Sequence, residues 1–154
     1  MPQLESRYFG TVEYEPDSVF DFPAGLPGFE TEKQFLFVEQ AANRPLVFLQ
    51  SVVTPVLCFL AVAAHVVAPE YRLQLSAEDL AELDLPTDRQ PEIGPDLLCL
   101  LLLSVEEGAA PTANLLSPVV VNLRLRRGLQ AVQAGSGYSH RHPLPDGGTE
   151  APCS

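Results

Sequence analysis

Short apolar segments, separated by prolines and glycines at close intervals, run along most of the chain. This rhythm, with 15 prolines and 10 glycines among the segments, is typical of an all-β domain of many short strands. Residues 97–105 are apolar at almost every position, which predicts a central strand buried on both faces. The predicted strands are residues 8–15, 19–22, 35–39, 46–51, 56–63, 71–75, 97–105, 119–125 and 129–133.

One helix interrupts this β pattern. Ser76 is a suitable N-cap, Asp79 follows three residues later, and residues 77–83 contain good helix formers. We therefore predict one short helix over residues 77–83.

Two turns are also indicated. Residues 23–28 combine two prolines with two glycines, which predicts a turn of fixed shape with positive φ at Gly25 or Gly28. Arg126-Arg127-Gly128 separates the last two predicted strands, so these form a hairpin with a basic tip. Many short strands with one short helix favour a small, closed or nearly closed β-barrel. We expect a single barrel-like domain over residues 1–144 and a flexible tail over residues 145–154.

Charge narrows the choice of partner. The 154-residue chain has a net charge of -11, and residues 1–120 hold 18 of its 20 acidic residues. Such a surface disfavours direct nucleic-acid binding and favours a basic protein partner. The alternative is that the acidity serves solubility alone.

The cellular location is predicted from the lack of a signal sequence and of a membrane-spanning segment in the sequence. The N-terminus has no apolar signal sequence, and the longest apolar runs, residues 56–64 and 97–103, are far shorter than the ~20 residues of a membrane helix. Three cysteines form no metal-binding spacing. We expect a cytoplasmic protein that does not enter the membrane.

Motifs for catalysis are not found in the sequence. It contains no Gly-x-Ser-x-Gly elbow, no glycine loop for phosphate and no His-Glu-x-x-His helix. His140 and His142 are the one candidate centre for an enzyme hypothesis, but a metal site needs further ligands. We predict no enzyme, no catalytic residue, no metal and no cofactor.

Seven motifs follow one another in a fixed order between residues 7 and 144. The most distinctive is Phe22-Pro23-Ala24-Gly25-Leu26-Pro27-Gly28-Phe29-Glu30. The others are residues 7–13, 45–51, 68–71, 112–122, 128–132 and 141–144. This ordered set resembles the flagellar assembly factor (FliW) family. The chain departs from the family pattern at Ala63-Ala64-His65, where an Asp-Pro pair is usual.

The resemblance implies a compact β-barrel-like fold without a catalytic site. It also implies two protein partners that bind in alternation: flagellin before its export, and CsrA, a small basic dimer that represses translation. Once flagellin leaves the cell, the freed factor binds CsrA away from its RNA face and releases the messenger allosterically. The alternative is a β-barrel that binds a small molecule.

Five residues are candidates for partner contacts: Glu70, Tyr71, Glu106, Glu107 and Asn114. Tyr71 is an aromatic at a loop end, and aromatics are enriched at interface centres. The two adjacent glutamates follow the buried strand, so they should emerge at a barrel rim. Asn114 begins the next rim segment. The alternative roles are a core tyrosine, a turn-forming asparagine and merely solvated glutamates.

Overall fold

The computed structural model describes residues 2–26 and 28–144, and the predicted flexible tail lies outside them. Within these residues the chain forms eleven strands, two short α-helices and two 3-10 turns. In chain order the strands and helices are β1 (Gln3–Ser6), β2 (Gly10–Glu13), β3 (Phe20–Asp21), β4 (Gln34–Val38), β5 (Val47–Ser51), β6 (Cys58–Ala63), α1 (Ala64–Val67), α2 (Ala77–Glu82), β7 (Leu98–Ser104), β8 (Thr112–Ala113), β9 (Val119–Asn122), β10 (Arg127–Gln130) and β11 (His142–Pro143).

Seven of the strands close a barrel. Strands β3 to β7 pair in sequence order, each antiparallel to the next, and β7 pairs with β9. The β9–β10 hairpin continues the sheet, and a parallel pairing of Arg127 with Asp21 joins β10 to β3. The prediction of an all-β, barrel-like domain is therefore confirmed, since closure leaves these seven strands with a neighbour on both sides.

Two hydrophobic clusters lie on the two sides of the barrel wall. The inner cluster includes Phe22, Phe35 and Leu100. The outer cluster includes Cys99 and Leu101, which alternate with Leu100 along β7, and packs them against side chains from residues 64–85. The prediction that β7 is buried on both faces is confirmed by this alternation.

The predicted helix is confirmed as α2. The Ser76 hydroxyl accepts a hydrogen bond of 3.0 Å from the backbone N–H of Asp79, as an N-cap does. Leu80, 2% exposed, fixes the helix to the outer cluster. The expectation of a single helix is wrong, because α1 forms one further turn at Ala64, directly after β6. Ala64 and Val67 are both buried there, on one face of that turn.

The first predicted strand is also wrong in its extent. Residues 8–15 were expected to be one strand, but β1 and β2 form a hairpin whose turn includes Tyr8. The Ser6 hydroxyl accepts hydrogen bonds from the N–H groups of Tyr8 and Phe9, at 3.0 and 3.1 Å. Gly10 then adopts a φ of 72°, which is accessible to glycine at little cost.

Two other boundaries need correction. Residues 71–75 have the alternating burial of a strand, but within the described residues no strand lies beside them. The basic tip of the last hairpin is shifted, because the turn comprises residues 123–126 and Arg127 already belongs to β10. The Asn122 side chain stabilises the turn at this position, since its oxygen accepts a hydrogen bond of 3.1 Å from the N–H of Arg124.

The proline- and glycine-rich turn is as predicted. Gly25 and Gly28 have φ values of 67° and 86°. Phe22 and Leu26 anchor the turn, because both side chains are buried in the inner cluster. This motif therefore has a structural role in packing the barrel.

Candidate partner-binding surface

The β7–β8 hairpin places two of the predicted contact residues at an exposed loop. Strand β8 pairs with the end of β7, so the connecting residues 105–111 project beyond the paired strands. Glu106 and Glu107 are both exposed there, and Gly108 turns the chain with a φ of 83°. We call Glu106 and Glu107 the acidic tip. Its position confirms the expectation that the glutamates emerge at the end of the buried strand.

Asn114 lies at the other end of the same hairpin. Its backbone N–H donates a hydrogen bond of 2.9 Å to the carbonyl of Leu102. Its side-chain oxygen accepts a hydrogen bond of 2.9 Å from the N–H of Ser117. The half-buried side chain thus shapes the turn that leads into β9, which is the turn-forming role that asparagine often has.

Tyr71 does not offer its ring to a partner, because only 4% of the residue is exposed. Its hydroxyl donates a hydrogen bond of 2.6 Å to the carbonyl of Leu115, and its ring stacks on Tyr138 at 4.6 Å. Burial raises the pKa of Tyr71, and the neighbouring Cys99 and Tyr138 add to this effect. The proposal that Tyr71 is an exposed contact is corrected accordingly. Glu70, the residue before it, is exposed.

Most of the acidity of this surface is not neutralised by ion pairs. Across residues 2–26 and 28–144, the one salt bridge joins Arg89 to Asp96 at 3.5 Å. The 18 acidic residues of positions 1–120 therefore leave a strong negative field, since uncompensated charges add up over a surface.

The reactive side chains are arranged as follows. Burial raises the pKa of the Cys58 thiol to about 11 and that of Cys99 to about 12, so both thiols are protonated at neutral pH. His142 lies in β11, which pairs with β8, whereas His140 is exposed before it. In the part of the chain that the structure describes, no three His, Cys, Asp or Glu side chains are close enough to hold a metal ion.

The barrel interior bears on the small-molecule alternative. Aromatic and aliphatic side chains from β4, β5, β6, β7 and β9 fill it, together with Phe22 and Leu26. A small barrel packed in this way has a core instead of a ligand chamber. This filling counts against the alternative of an internal ligand.

None of the helices within the described ranges is long and apolar enough to cross a membrane.

Sequence reasoning missed two surface features. Tyr8 and Val56 are exposed by 58% and 53% and are joined by a hydrogen bond of 3.2 Å from the tyrosine hydroxyl to the valine carbonyl. An open groove of about 950 Å³ also separates residues 71–74 from residues 91–95. The alternation in residues 71–75 predicts the extended backbone that forms one wall of the groove, but it does not predict the groove itself.

The sequence matches the model of the FliW protein family over residues 3–144. The flagellar assembly factor FliW of Desulfitobacterium hafniense (strain Y51) is 36% identical over 143 residues, which cover 92% of this chain and 90% of that protein. The factor of the same name from Syntrophomonas wolfei is 32% identical over 142 residues, which cover 92% of this chain and 88% of that one. The crystal structure of a flagellar assembly factor FliW superposes with a TM-score of 0.83 at 28% identity, covering 94% of this chain and 99% of the other.

Proposed function

This chain belongs to the FliW family of flagellar assembly factors, and from that premise we propose that it is a non-enzymatic regulator that binds flagellin and CsrA in alternation. It acts in the cytoplasm. Flagellin occupies it before export, and CsrA occupies it once flagellin has left. This protein contacts CsrA at a surface other than the RNA-binding face, so CsrA releases the messenger through an allosteric change. Flagellin synthesis is thereby coupled to flagellar assembly.

Alternation has a thermodynamic requirement. If flagellin lowers the affinity of this protein for CsrA by some factor, CsrA lowers its affinity for flagellin by the same factor. The concentration of unexported flagellin then sets how much protein is free to bind CsrA. Neither partner needs to be modified chemically for this coupling, which is consistent with a regulator that has no catalytic step.

The acidic tip is the feature that supports the choice of this surface for binding CsrA. Glu106 and Glu107 are exposed, adjacent, and without an ion-pair partner in the described residues. A basic dimer such as CsrA is attracted to such a site, because complementary potentials speed encounter and fix orientation. Glu70 adds an exposed negative charge to the protein surface.

The two remaining candidates support the surface without forming it. Tyr71 holds the carbonyl of Leu115, and Asn114 holds the N–H of Ser117. Both side chains therefore fix the segment that connects the β7–β8 hairpin to β9. Their loss would alter the shape of this segment, whereas loss of the glutamates would alter the charge of the acidic tip.

Charge reversal tests the acidic tip. Glu106→Lys with Glu107→Lys is compared with a control of equal charge change, Glu78→Lys with Glu82→Lys on the exposed side of α2. The tip variant should keep its free energy of unfolding within about 0.5 kcal/mol, as exposed substitutions usually do. The control should lose about 1 kcal/mol at most, because Glu78 lies in the first turn of α2, where a negative charge is favourable. Surface plasmon resonance should show CsrA binding weakened roughly tenfold or more by the tip variant, and much less by the control. Equal weakening by both would mean that net charge matters and the tip is not a contact.

A further inference from the structure

The extended segment of residues 71–75 is held on one edge by side chains in place of a neighbouring strand. The side-chain amide of Gln133 forms two hydrogen bonds with the backbone of Gln74, accepting from its N–H at 2.7 Å and donating to its carbonyl at 2.9 Å. On the same edge the Tyr138 hydroxyl accepts from the N–H of Arg72 at 2.9 Å. The glutamine thus imitates one residue of a paired strand.

On the opposite edge, the backbone groups at the two ends of the segment have hydrogen-bond partners, whereas those in the middle have none among the described residues. The side-chain amide of Gln90 exchanges two hydrogen bonds with the backbone of Leu75, at 2.8 and 3.0 Å. At the other end Nε2 of His65 lies 3.3 Å from the carbonyl oxygen of Tyr71. Backbone N–H and C=O groups point to alternate edges along an extended chain, so those of Leu73 lie on this edge between the two closed positions. Among the described residues, neither group of Leu73 has a hydrogen-bond partner.

The open backbone groups lie along the groove of about 950 Å³. The wall opposite Leu73 includes Pro91 and Pro95, which have no N–H and cannot donate to it. Neither proline can therefore supply a donor for the Leu73 carbonyl. The lining residues that matter for a ligand are Arg72, Leu73, Glu92 and Ile93.

Charge indicates which kind of chain fits. Arg72 is exposed and forms no ion pair with the residues that the structure describes, although the protein carries a net charge of -11. An acidic side chain in the ligand would therefore find an unused cation beside the open backbone groups. Glu92 on the opposite wall disfavours a second acid there, and Ile93 favours an apolar side chain.

We propose that this groove binds an extended peptide segment of a partner protein, which adds to the edge by exchanging two backbone hydrogen bonds with Leu73. The segment carries an acidic residue facing Arg72 and an apolar residue facing Ile93. Strand addition to an open edge is a recurrent mode of peptide recognition, in which the backbone gives affinity and alternate side chains give specificity. The site uses none of the acidic tip and does not depend on the proposed function.

A displayed library of random eight-residue peptides, selected against the full-length immobilised protein, supplies the probe. Selected peptides should contain an acid, and the best of them, made synthetically, should shift the backbone amide signal of Leu73 in an NMR titration. Arg72→Glu should weaken this peptide about tenfold, whereas the exposed control Arg124→Glu should leave its affinity unchanged. Methylation of the backbone nitrogen of the one peptide residue that pairs with Leu73 should cost at least about tenfold in affinity, because it removes the donor.

Three results would overturn the proposal. The first is a selection whose binders are indifferent to Arg72→Glu or tolerate N-methylation at every position. The second is a dimer of the wild-type chain in sedimentation that Arg72→Glu abolishes, since a second copy would then occupy the groove. The third is tighter peptide binding by a variant that ends at Leu144, since residues 145–154 would then be the occupant.

Discussion

Replacement of Gly25 by alanine tests whether the motif turn has the structural role that its packing implies. Gly25 has a φ of 67°, and a Cβ atom placed on it would lie 2.6 Å from both the Cα and the carbonyl oxygen of Glu30. These are backbone atoms, so they cannot move aside as the end of a flexible side chain would. Gly28 is a matched control, because its φ is 86° and a Cβ atom placed on it would meet no atom of the other described residues within 4 Å, its two chain neighbours aside.

The expected magnitudes differ for the two positions. Alanine in the left-handed region costs ~1–2 kcal/mol, and the reduced freedom of the unfolded chain returns ~0.4–1 kcal/mol. Gly28→Ala should therefore lower the free energy of unfolding by about 1 kcal/mol. Gly25→Ala adds overpacking worth ~1–3 kcal/mol, since the backbone at Glu30 must shift. The total at Gly25 is about 2–4 kcal/mol.

Urea unfolding, followed by circular dichroism, measures both variants. With a slope of ~1–3 kcal/mol per molar urea, the midpoint of Gly25→Ala should fall by about 1–2 M, and that of Gly28→Ala by about half a molar. Equal midpoints for the two variants would refute the reasoning, because they would show that the contact with Glu30 is not constraining.

Three further predictions concern the core, the thiols and the charge. Tyr71→Phe should lower the free energy of unfolding by about 1 kcal/mol in denaturant melts, because the Leu115 carbonyl loses its donor; an unchanged midpoint would contradict this. The raised pKa values of Cys58 and Cys99, about 11 and 12 against the ordinary 9.0, mean that the unfolded thiols ionise first. The free energy of unfolding should thus be insensitive to these thiols below pH 9 and should decline from there towards pH 11–12. The decline should be steeper than in the Cys58→Ala, Cys99→Ala double variant, and equal pH slopes would contradict the raised thiol pKa values. Association with CsrA should slow as salt is added in surface plasmon resonance, since exposed charges are screened, and a rate indifferent to salt would leave the acidity a role in solubility alone.

The sequence predicted the elements whose signals are local. Ser76 with Asp79 located α2 to within one residue, because an N-cap hydrogen bond spans three residues. The unbroken apolar run located β7 and its burial on both faces. Gly25 and Gly28 indicated positive φ from an equally local signal, since glycine reaches the left-handed region at little cost and the neighbouring prolines restrict φ directly.

Closure of the barrel was harder to predict from the sequence. The parallel pairing of Arg127 with Asp21 joins residues more than a hundred positions apart, and no local pattern specifies such a partner. Residues 71–75 show the same limit, because alternating burial indicates an extended chain but not what lies beside it. Here the neighbours are the side chains of Gln90 and Gln133, which a strand pattern does not reveal.

The positions of the candidate contact residues in the fold were predicted in part. Glu106 and Glu107 were placed correctly at an exposed loop, because they directly follow a buried strand. Tyr71 was misplaced, since a tyrosine at a loop end has the same sequence signature whether its ring points inward or outward. Its hydrogen bond to Leu115, 44 residues away, decided the outcome.

The central claim, that this protein serves flagellin and CsrA in alternation, is tested most directly by competition. CsrA is captured on the immobilised full-length protein, and purified flagellin is added at increasing concentration while bound CsrA is measured. The account predicts that flagellin releases CsrA progressively, and that CsrA weakens flagellin binding by the same factor in the reverse titration. Simultaneous binding of both proteins with unchanged affinities, or no binding of flagellin at all, would contradict it.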